Sequence, residues 1–214
     1  MTQLLLYHFP GACSQVSVFA LEEVGLAYSL ELVNLAKDEQ SRPEFLSVSP
    51  MGKVPTLLID GMPLFENAAI QVYIAALRPG ARLFPTNPSP HVQAEIISGL
   101  AFCGGTLHPQ VRGIVNPSRL TTGEGAPVRE KATALAKKSF GYAERRIAQH
   151  RWWLGDWSTI DVYLNWAFTT ACQGGFDASA FPELSALAER LSARPAFRRM
   201  IEGETRAREA LGIS

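Results

Sequence analysis

The chain has 214 residues, of which 47% are hydrophobic and 19% charged, a balance typical of a globular protein with a proper core. Its length exceeds the usual size of one domain, so we expect two modest domains. Its 20 basic and 20 acidic side chains cancel, which leaves no net field to gather polyanions and argues against nucleic acid as a partner.

The start of the chain, Met-Thr-Gln followed by three leucines, lacks the basic region and long apolar stretch of a signal peptide. No window reaches the roughly 18 apolar residues needed to cross a bilayer, so no membrane association is expected. The cysteines, Cys13, Cys103 and Cys172, form neither an even disulfide framework nor a Cys-x-x-Cys pair. We therefore expect a soluble protein of the reducing cytoplasm.

Short apolar runs and helical patterns share the first 80 residues. Leu4 to Phe9 and Tyr28 to Val33 are predicted strands. Between them, Val16 to Val24 carries apolar residues at steps of three and four, which predicts a helix. Gly25 is suited to end that helix in the left-handed conformation.

Two further strands are predicted at Pro55 to Ile59 and Met62 to Phe65, because the Asp60-Gly61 pair between them favours a tight hairpin. The segment Ala68 to Leu77 has helical spacing and ends before Pro79. One right-handed strand-helix-strand unit plus this hairpin predicts a four-stranded mixed sheet covered by helices.

A stiff, proline-containing stretch at 81–90 indicates a linker between a first domain at 1–80 and a second domain at 91–214. Beyond the linker the pattern is helical throughout, so the second domain is predicted to be all-α. Ser158 and Asp161 have the spacing of a helix capping box, which is a structural role for both.

Residues 10–14, Pro-Gly-Ala-Cys-Ser, join the first strand to the first helix, so Cys13 and Ser14 are expected in its opening turn. Unpaired amides and the helix dipole at that end stabilise an anion and lower the pKa of a thiol. The alternative is a small cysteine packed under the sheet, which is the commoner role of an arbitrary lone cysteine. Pro55 begins a strand, and its letters alone do not reveal whether its peptide bond is cis.

These motifs together resemble the glutathione transferase superfamily, nearest its bacterial beta class. The segments that match are Pro-Gly-Ala-Cys-Ser at 10–14, Gly-Lys-Val-Pro at 52–55, Glu66-Asn67, Pro43-Glu44-Phe45-Leu46 before Pro50, Leu83-Phe84-Pro85, and Ser158 to Asp161 after Leu154-Gly155. The resemblance implies an α/β thioredoxin-like N-terminal domain that binds glutathione and an all-α domain that forms the electrophile site. It also implies an enzyme that conjugates glutathione to small hydrophobic electrophiles, as in detoxification, without a metal.

The resemblance implies how glutathione is held. Val54, before Pro55, pairs its backbone with the cysteinyl unit of glutathione like an added strand, and Glu66 accepts from the ligand ammonium. Asn67, where many relatives have serine, and nearby amides hold the γ-glutamyl carboxylate, with plain helix N-capping as its other interpretation. The remaining predicted glutathione-binding residues are Lys37, Lys53 and His108.

Cys13 and Ser14 are the predicted catalytic residues, because they match the beta-class cysteine beside the glutathione sulfur and the serine after it. Tyr7 and Arg112 are candidates for the electrophile site, with packing and an ion pair within the domain as their structural interpretations. A satisfied buried histidine at a proline is likewise the alternative for His108.

The resemblance further implies a homodimer, in which the N-terminal domain of one subunit packs against the helical domain of the other. Two other functions fit the same pattern. Cys13 is able to form a mixed disulfide with glutathione in a thiol-disulfide oxidoreductase or peroxidase, and the fold also serves as a non-catalytic carrier or interaction module.

Overall fold

A computed structural model of the protein describes residues 2–213. They form two compact units, one of residues up to Leu83 together with residues from Ser192 onward, and one of Phe84–Leu191. The sequence-based boundary near residue 80 lies close to the first division. The C-terminal stretch groups with the first unit because its helix packs on the sheet domain, for example through the Phe197 ring, 6.3 Å from that of Phe19.

The helices and strands of the described residues follow in chain order. They are β1 (Leu4–His8), α1 (Gln15–Val24), β2 (Ser29–Leu32), α2 (Pro43–Leu46), β3 (Thr56–Ile59), β4 (Met62–Phe65), α3 (Asn67–Leu77), α4 (Pro90–Ala101), α5 (His108–Val115), α6 (Gly125–His150), α7 (Thr159–Gln173), α8 (Pro182–Ser185), α9 (Leu187–Ser192) and α10 (Pro195–Leu211). The predicted α/β first part and helical second part are thereby confirmed.

The sheet of the first unit has the strand order β2-β1-β3-β4. β1 pairs parallel with β2, whereas β3 runs antiparallel to both β1 and β4. Asp60 and Gly61 have φ values of 50° and 84°, as a two-residue hairpin of this hand requires, and Gly25 ends α1 in the left-handed region. The predicted mixed sheet and hairpin are confirmed.

Alternation along β1 sends its side chains to two faces of the sheet. Tyr7 joins a buried apolar cluster with Val33 and Phe45 on one face. His8 points to the opposite face, where it shares a cavity wall with Val18 of α1 and Ala207 of α10. The first unit therefore has helices on both faces of β1, and the polar His8 lies on the face that α10 covers.

The second unit begins with one long helical stretch. α4 continues through a π-helical segment, Phe102–Leu107, directly into α5. α7 begins with the predicted capping box. The Ser158 side chain accepts from the backbone N–H of Asp161, and the Asp161 side chain accepts from the backbone N–H of Ser158. Among residues 2–213, no helix combines the length and apolar character that crossing a bilayer requires.

Candidate active site

The turn between β1 and α1 brings Cys13 against the loop that precedes β3. Gly11 supplies the positive φ of 82° that this turn needs, and Ser14 is the residue that precedes the first helical turn. Cys13 is buried, and its Sγ lies 3.7 Å from the carbonyl oxygen of Val54. The Val54–Pro55 peptide bond is cis. Two motifs 41 residues apart therefore meet at the start of α1.

The loop around Val54 has a fixed backbone. The carbonyl of Lys53 accepts from the hydroxyls of Ser49 and Thr56, each at 3.0 Å, and the Lys53 N–H donates to Ser49 Oγ. Val54 itself is half-buried, and within residues 2–213 its N–H donates no hydrogen bond. An extended peptide is able to pair with this N–H at an edge that is already ordered.

The start of α3 lies beside the same turn. Glu66 is exposed and precedes the helix with φ 66° and ψ 123°, a conformation uncommon for residues other than glycine and one that functional sites often retain. Asn67 is the first helical residue, so its interpretation as an N-cap is wrong. Its buried side chain donates to the Cys13 carbonyl at 2.8 Å and accepts from Ser17 Oγ at 2.8 Å. Asn67 therefore joins α3 to the start of α1.

Ser14 is fully buried, and its hydroxyl makes its contacts inside the protein. Its Oγ lies 2.7 Å from Nδ1 of His8, and Nε2 of His8 lies 3.0 Å from Glu204. Glu204 also accepts from the Gly11 N–H at 2.6 Å. His8 and Glu204 were not predicted from the sequence, because no local pattern connects a strand residue with a carboxylate on the last helix.

The other predicted residues of the first unit have different environments. The Tyr7 ring packs edge-on against Phe45, with centroids 5.3 Å apart, and burial followed by the charge of Glu31 raises the pKa of its hydroxyl. These contacts favour the packing interpretation. Lys37, at the end of a 3-10 helix, and Lys53, on a loop, are both exposed, and Asn34 Oδ1 accepts from the backbone N–H of Lys37. Their lysine side chains are accessible to an anion.

His108 and Arg112 lie on α5 of the second unit and are both half-buried. The His108 ring is 4.7 Å from that of Trp166, and its Nδ1 is 3.5 Å from the Tyr163 hydroxyl. Both contacts are within the same unit, as in the packing alternative. The proposed contacts of His108 with glutathione and of Arg112 with an electrophile stay predictions.

Comparison with known proteins agrees with this geometry. A model of the glutathione S-transferase N-terminal domain family matches residues 2–76. Glutathione S-transferase GST-4.5 of Xanthomonas campestris pv. campestris is 30% identical over 191 residues, which cover 88% of this chain and 92% of the relative.

Solved structures give the same result. A glutathione transferase homologue from Sulfitobacter with bound glutathione has a TM-score of 0.86 and 28% identity, over 95% of this chain and 99% of that one. A bacterial beta-class glutathione S-transferase from Sphingomonas chungbukensis has a TM-score of 0.83 and 31% identity, over 94% and 98% of the two chains. The resemblance predicted from the sequence is confirmed: the chain belongs to the glutathione S-transferase family, and its function is that of a glutathione S-transferase.

Proposed function

We propose that the protein binds glutathione along the Val54 edge and transfers it to small hydrophobic electrophiles, with Cys13 beside the reacting sulfur. The observation that supports this most directly is the meeting of Cys13 Sγ with the Val54 carbonyl, next to the cis Val54–Pro55 bond. A cysteinyl unit that pairs with the Val54 backbone has its own sulfur close to this point. The relatives with glutathione in their names or structures agree with such a ligand.

The first unit offers a partner of suitable charge or polarity for each charged group of glutathione. Glu66, exposed before α3, is proposed to accept from the γ-glutamyl ammonium. The first backbone amides of α3 have no partner inside the helix, so they are proposed to hold the γ-glutamyl carboxylate. The Asn67 side chain hydrogen-bonds to Cys13 and Ser17 and so holds the start of α3, with these amides, in place. The glycyl carboxylate is assigned to Lys37 and Lys53.

The proposed reaction is electrostatically assisted substitution. The glutathione thiol loses its proton to solvent, its sulfur forms a bond to an electrophilic carbon, and the leaving group departs with its electron pair. Lowering the pKa of a thiol from about 9 to about 6.5 corresponds to roughly 3 kcal/mol of preferential thiolate stabilisation. The start of α1 with one or two hydrogen bonds supplies energy of that size.

Cys13→Ala is expected to move the acidic limb of the kcat/KM profile to higher pH by about one to two pH units. A hydrogen bond to a charged group contributes about 1.5–3 kcal/mol, and its loss raises the pKa of the glutathione thiol by a corresponding amount, since about 1.4 kcal/mol equals one pKa unit. Conjugation of an activated aryl halide, followed across pH, measures the limb. Cys172→Ala, a half-buried cysteine of the second unit, is the matched control and keeps the wild-type profile.

An unchanged acidic limb in Cys13→Ala would remove this thiol from the conjugation mechanism while leaving glutathione transfer itself intact.

The oxidoreductase alternative is decided by the same variant pair. Intact-protein mass spectrometry after treatment with oxidised glutathione shows a glutathione-sized adduct that Cys13→Ala loses if Cys13 forms a mixed disulfide. Absence of any such adduct on the wild-type protein counts against the redox function.

We also propose that two copies of the chain associate. The edge strand β4 exposes Met62 by 68% and Phe65 by 39%, and α3 beside it exposes Val72 by 48%. On the second unit, α4 exposes Ile97 by 65%. Apolar side chains on an open sheet edge are normally covered in a stable protein.

Met62→Glu and Ile97→Glu are each expected to shift the protein from dimer to monomer, because a charge is costly to bury in an apolar interface. Size-exclusion chromatography with light scattering, at several protein concentrations, measures the mass. Leu120→Glu is the control, since Leu120 is comparably exposed on the second unit, at 57%, and is given no role in the interface. A monomeric wild-type protein at every concentration contradicts the proposal.

The proposed setting is detoxification of electrophiles in the cytoplasm. Within residues 2–213, none of the cysteines Cys13, Cys103 and Cys172 forms a disulfide, which suits a reducing compartment that also holds reduced glutathione. Burial raises the pKa of Cys103, with a further contribution from Asp161, so this thiol stays protonated and unreactive. Fractionation of cells that produce the protein tests the compartment.

A further inference from the structure

Three buried polar side chains link the turn before α1 to the C-terminal helix. Ser14 Oγ lies 2.7 Å from Nδ1 of His8, and Nε2 of His8 lies 3.0 Å from Oε1 of Glu204. These residues are 0%, 1% and 7% exposed in the same order, so solvent hardly competes for the contacts. The other carboxylate oxygen of Glu204 binds the Gly11 N–H, which closes the chain on the turn that carries Cys13.

The donors and acceptors of this chain fix the position of one proton. Glu204 Oε1 accepts no hydrogen bond among the described residues, and it lies 3.0 Å from Nε2 of His8. Because a carboxylate oxygen repels a ring nitrogen that carries no proton, we expect neutral His8 to hold its proton on Nε2. Nδ1 then accepts from the Ser14 hydroxyl. That hydroxyl has a second acceptor, the Phe9 carbonyl, at the longer distance of 3.4 Å.

We propose that His8 and Glu204 are positioning residues for the catalytic turn: together they hold the Ser14 hydroxyl toward the imidazole and fix the backbone that presents Cys13. The inference rests on the proposed conjugation, since it assigns these residues an effect on the step that Cys13 supports.

His8 lies on the face of the sheet opposite to the one that holds Tyr7. His8 and Glu204 line a cavity of about 260 Å³ formed by α1, β2 and α10. The other charged or titratable groups facing this region are Glu22, Tyr28, Arg199, Arg206 and, beside Gly11, Arg208.

Glu22 and Tyr28 in this wall have partners other than His8. Glu22 is paired with Arg199 at 2.7 Å and accepts from the Tyr28 hydroxyl at 3.0 Å. Burial, then the charge of Glu22, raises the pKa of Tyr28 and keeps it neutral.

The position of the His8 proton is measured directly by nitrogen-15 NMR of the imidazole rings. The chain has four histidines, and His8→Asn identifies the His8 signals by their loss. We expect wild-type protein at neutral pH to carry the proton on Nε2, with Nδ1 unprotonated. A proton on Nδ1 overturns the proposal. This result does not depend on conjugation, so wild-type protein without transferase activity would instead contradict the proposed function.

In Glu204→Gln the side-chain amide nitrogen donates toward His8, while the amide oxygen keeps the hydrogen bond from the Gly11 N–H. Nε2 of His8 must then accept rather than donate. We expect the His8 proton to move to Nδ1, and kcat/KM to fall because the Ser14 hydroxyl loses its acceptor. Glu204→Asp, which keeps the carboxylate, retains the proton on Nε2. Glu202→Gln, exposed on the same helix, retains the wild-type tautomer and kcat/KM.

A purely structural role gives a different result. Glu204→Gln would then lower the melting temperature while leaving both the His8 tautomer and kcat/KM as in the wild type, and this outcome overturns the proposal. Where Glu204→Gln does not fold, the His8 tautomers of the wild type and of Glu204→Asp decide.

Discussion

Glu66→Gln is expected to raise the KM for glutathione by about 10- to 100-fold, because a hydrogen bond between ions contributes about 1.5–3 kcal/mol. The substitution keeps the shape of the side chain and removes its charge. Glu66 is exposed before α3 in a conformation uncommon for glutamate, and that backbone geometry is retained by the variant. Since the γ-glutamyl ammonium is remote from the sulfur, kcat at saturating glutathione should stay within a few-fold of wild type.

The pairing is tested most sharply with a second change on the ligand. A glutathione analogue without the γ-glutamyl amino group removes the partner of Glu66, so wild-type enzyme and Glu66→Gln should bind it equally well. Glu44→Gln, an exposed carboxylate of α2, is the control and leaves the KM unchanged. If Glu66→Gln has a wild-type KM, the ammonium lies elsewhere and the orientation proposed for glutathione is wrong.

Local chemistry explains which parts of the fold could be predicted from the sequence. Asp60-Gly61 and Gly25 are turn and cap residues whose backbone preferences act within a few positions, so the hairpin and the end of α1 follow from short patterns. The capping box at Ser158 is local in the same way. The meeting of Cys13 with Val54 was available only through the resemblance, because 41 residues separate them.

The partners of the active-site turn could not be predicted by such patterns. Glu204 is 193 residues from Gly11, and a glutamate on an amphipathic helix is usually solvated. Asn67 matches a ligand-binding position of the family that the sequence resembles, yet its side chain points into the protein and binds Cys13. The sequence pattern predicts that Asn67 lies at the start of α3, but it does not determine the rotamer of the side chain. The same turn is thus held by two interactions that only the three-dimensional packing reveals.

Asp161 is expected to be the most important single polar residue for the stability of the second unit. It is fully buried, and its two oxygens accept from the backbone N–H groups of Trp153 and Ser158, each at 2.7 Å. Asp161→Ala leaves both donors unsatisfied, at about 1–3 kcal/mol each, and should lower the free energy of unfolding by about 3–5 kcal/mol. Denaturant unfolding at one fixed protein concentration measures the loss.

Asp161→Asn separates the effect of charge from that of shape. Burial raises the pKa of Asp161 to about 6, although the hydrogen bonds from Trp153 and Ser158 lower it. Because the folded pKa exceeds the unfolded value, the folded state binds the proton more tightly. The stabilisation that this proton gives is present at low pH and is lost as pH rises through about 6. The advantage of the wild type over Asp161→Asn should therefore shrink by about 2 kcal/mol between about pH 4.5 and 7.

The direction of this change decides which force dominates at the start of α7. An advantage that grows with pH would mean that the hydrogen bonds to the ionised carboxylate outweigh its burial, so that the capping box is strongest when charged. Asp156→Asn, at an exposed position on the same loop, is the control and shows no such pH dependence. Because the Trp153 amide is tied to the same carboxylate, a weakened cap should also loosen the Trp153 ring, which stacks on Phe102 at 5.2 Å. Tryptophan fluorescence across the same pH range then reports whether that packing depends on the protonation of Asp161.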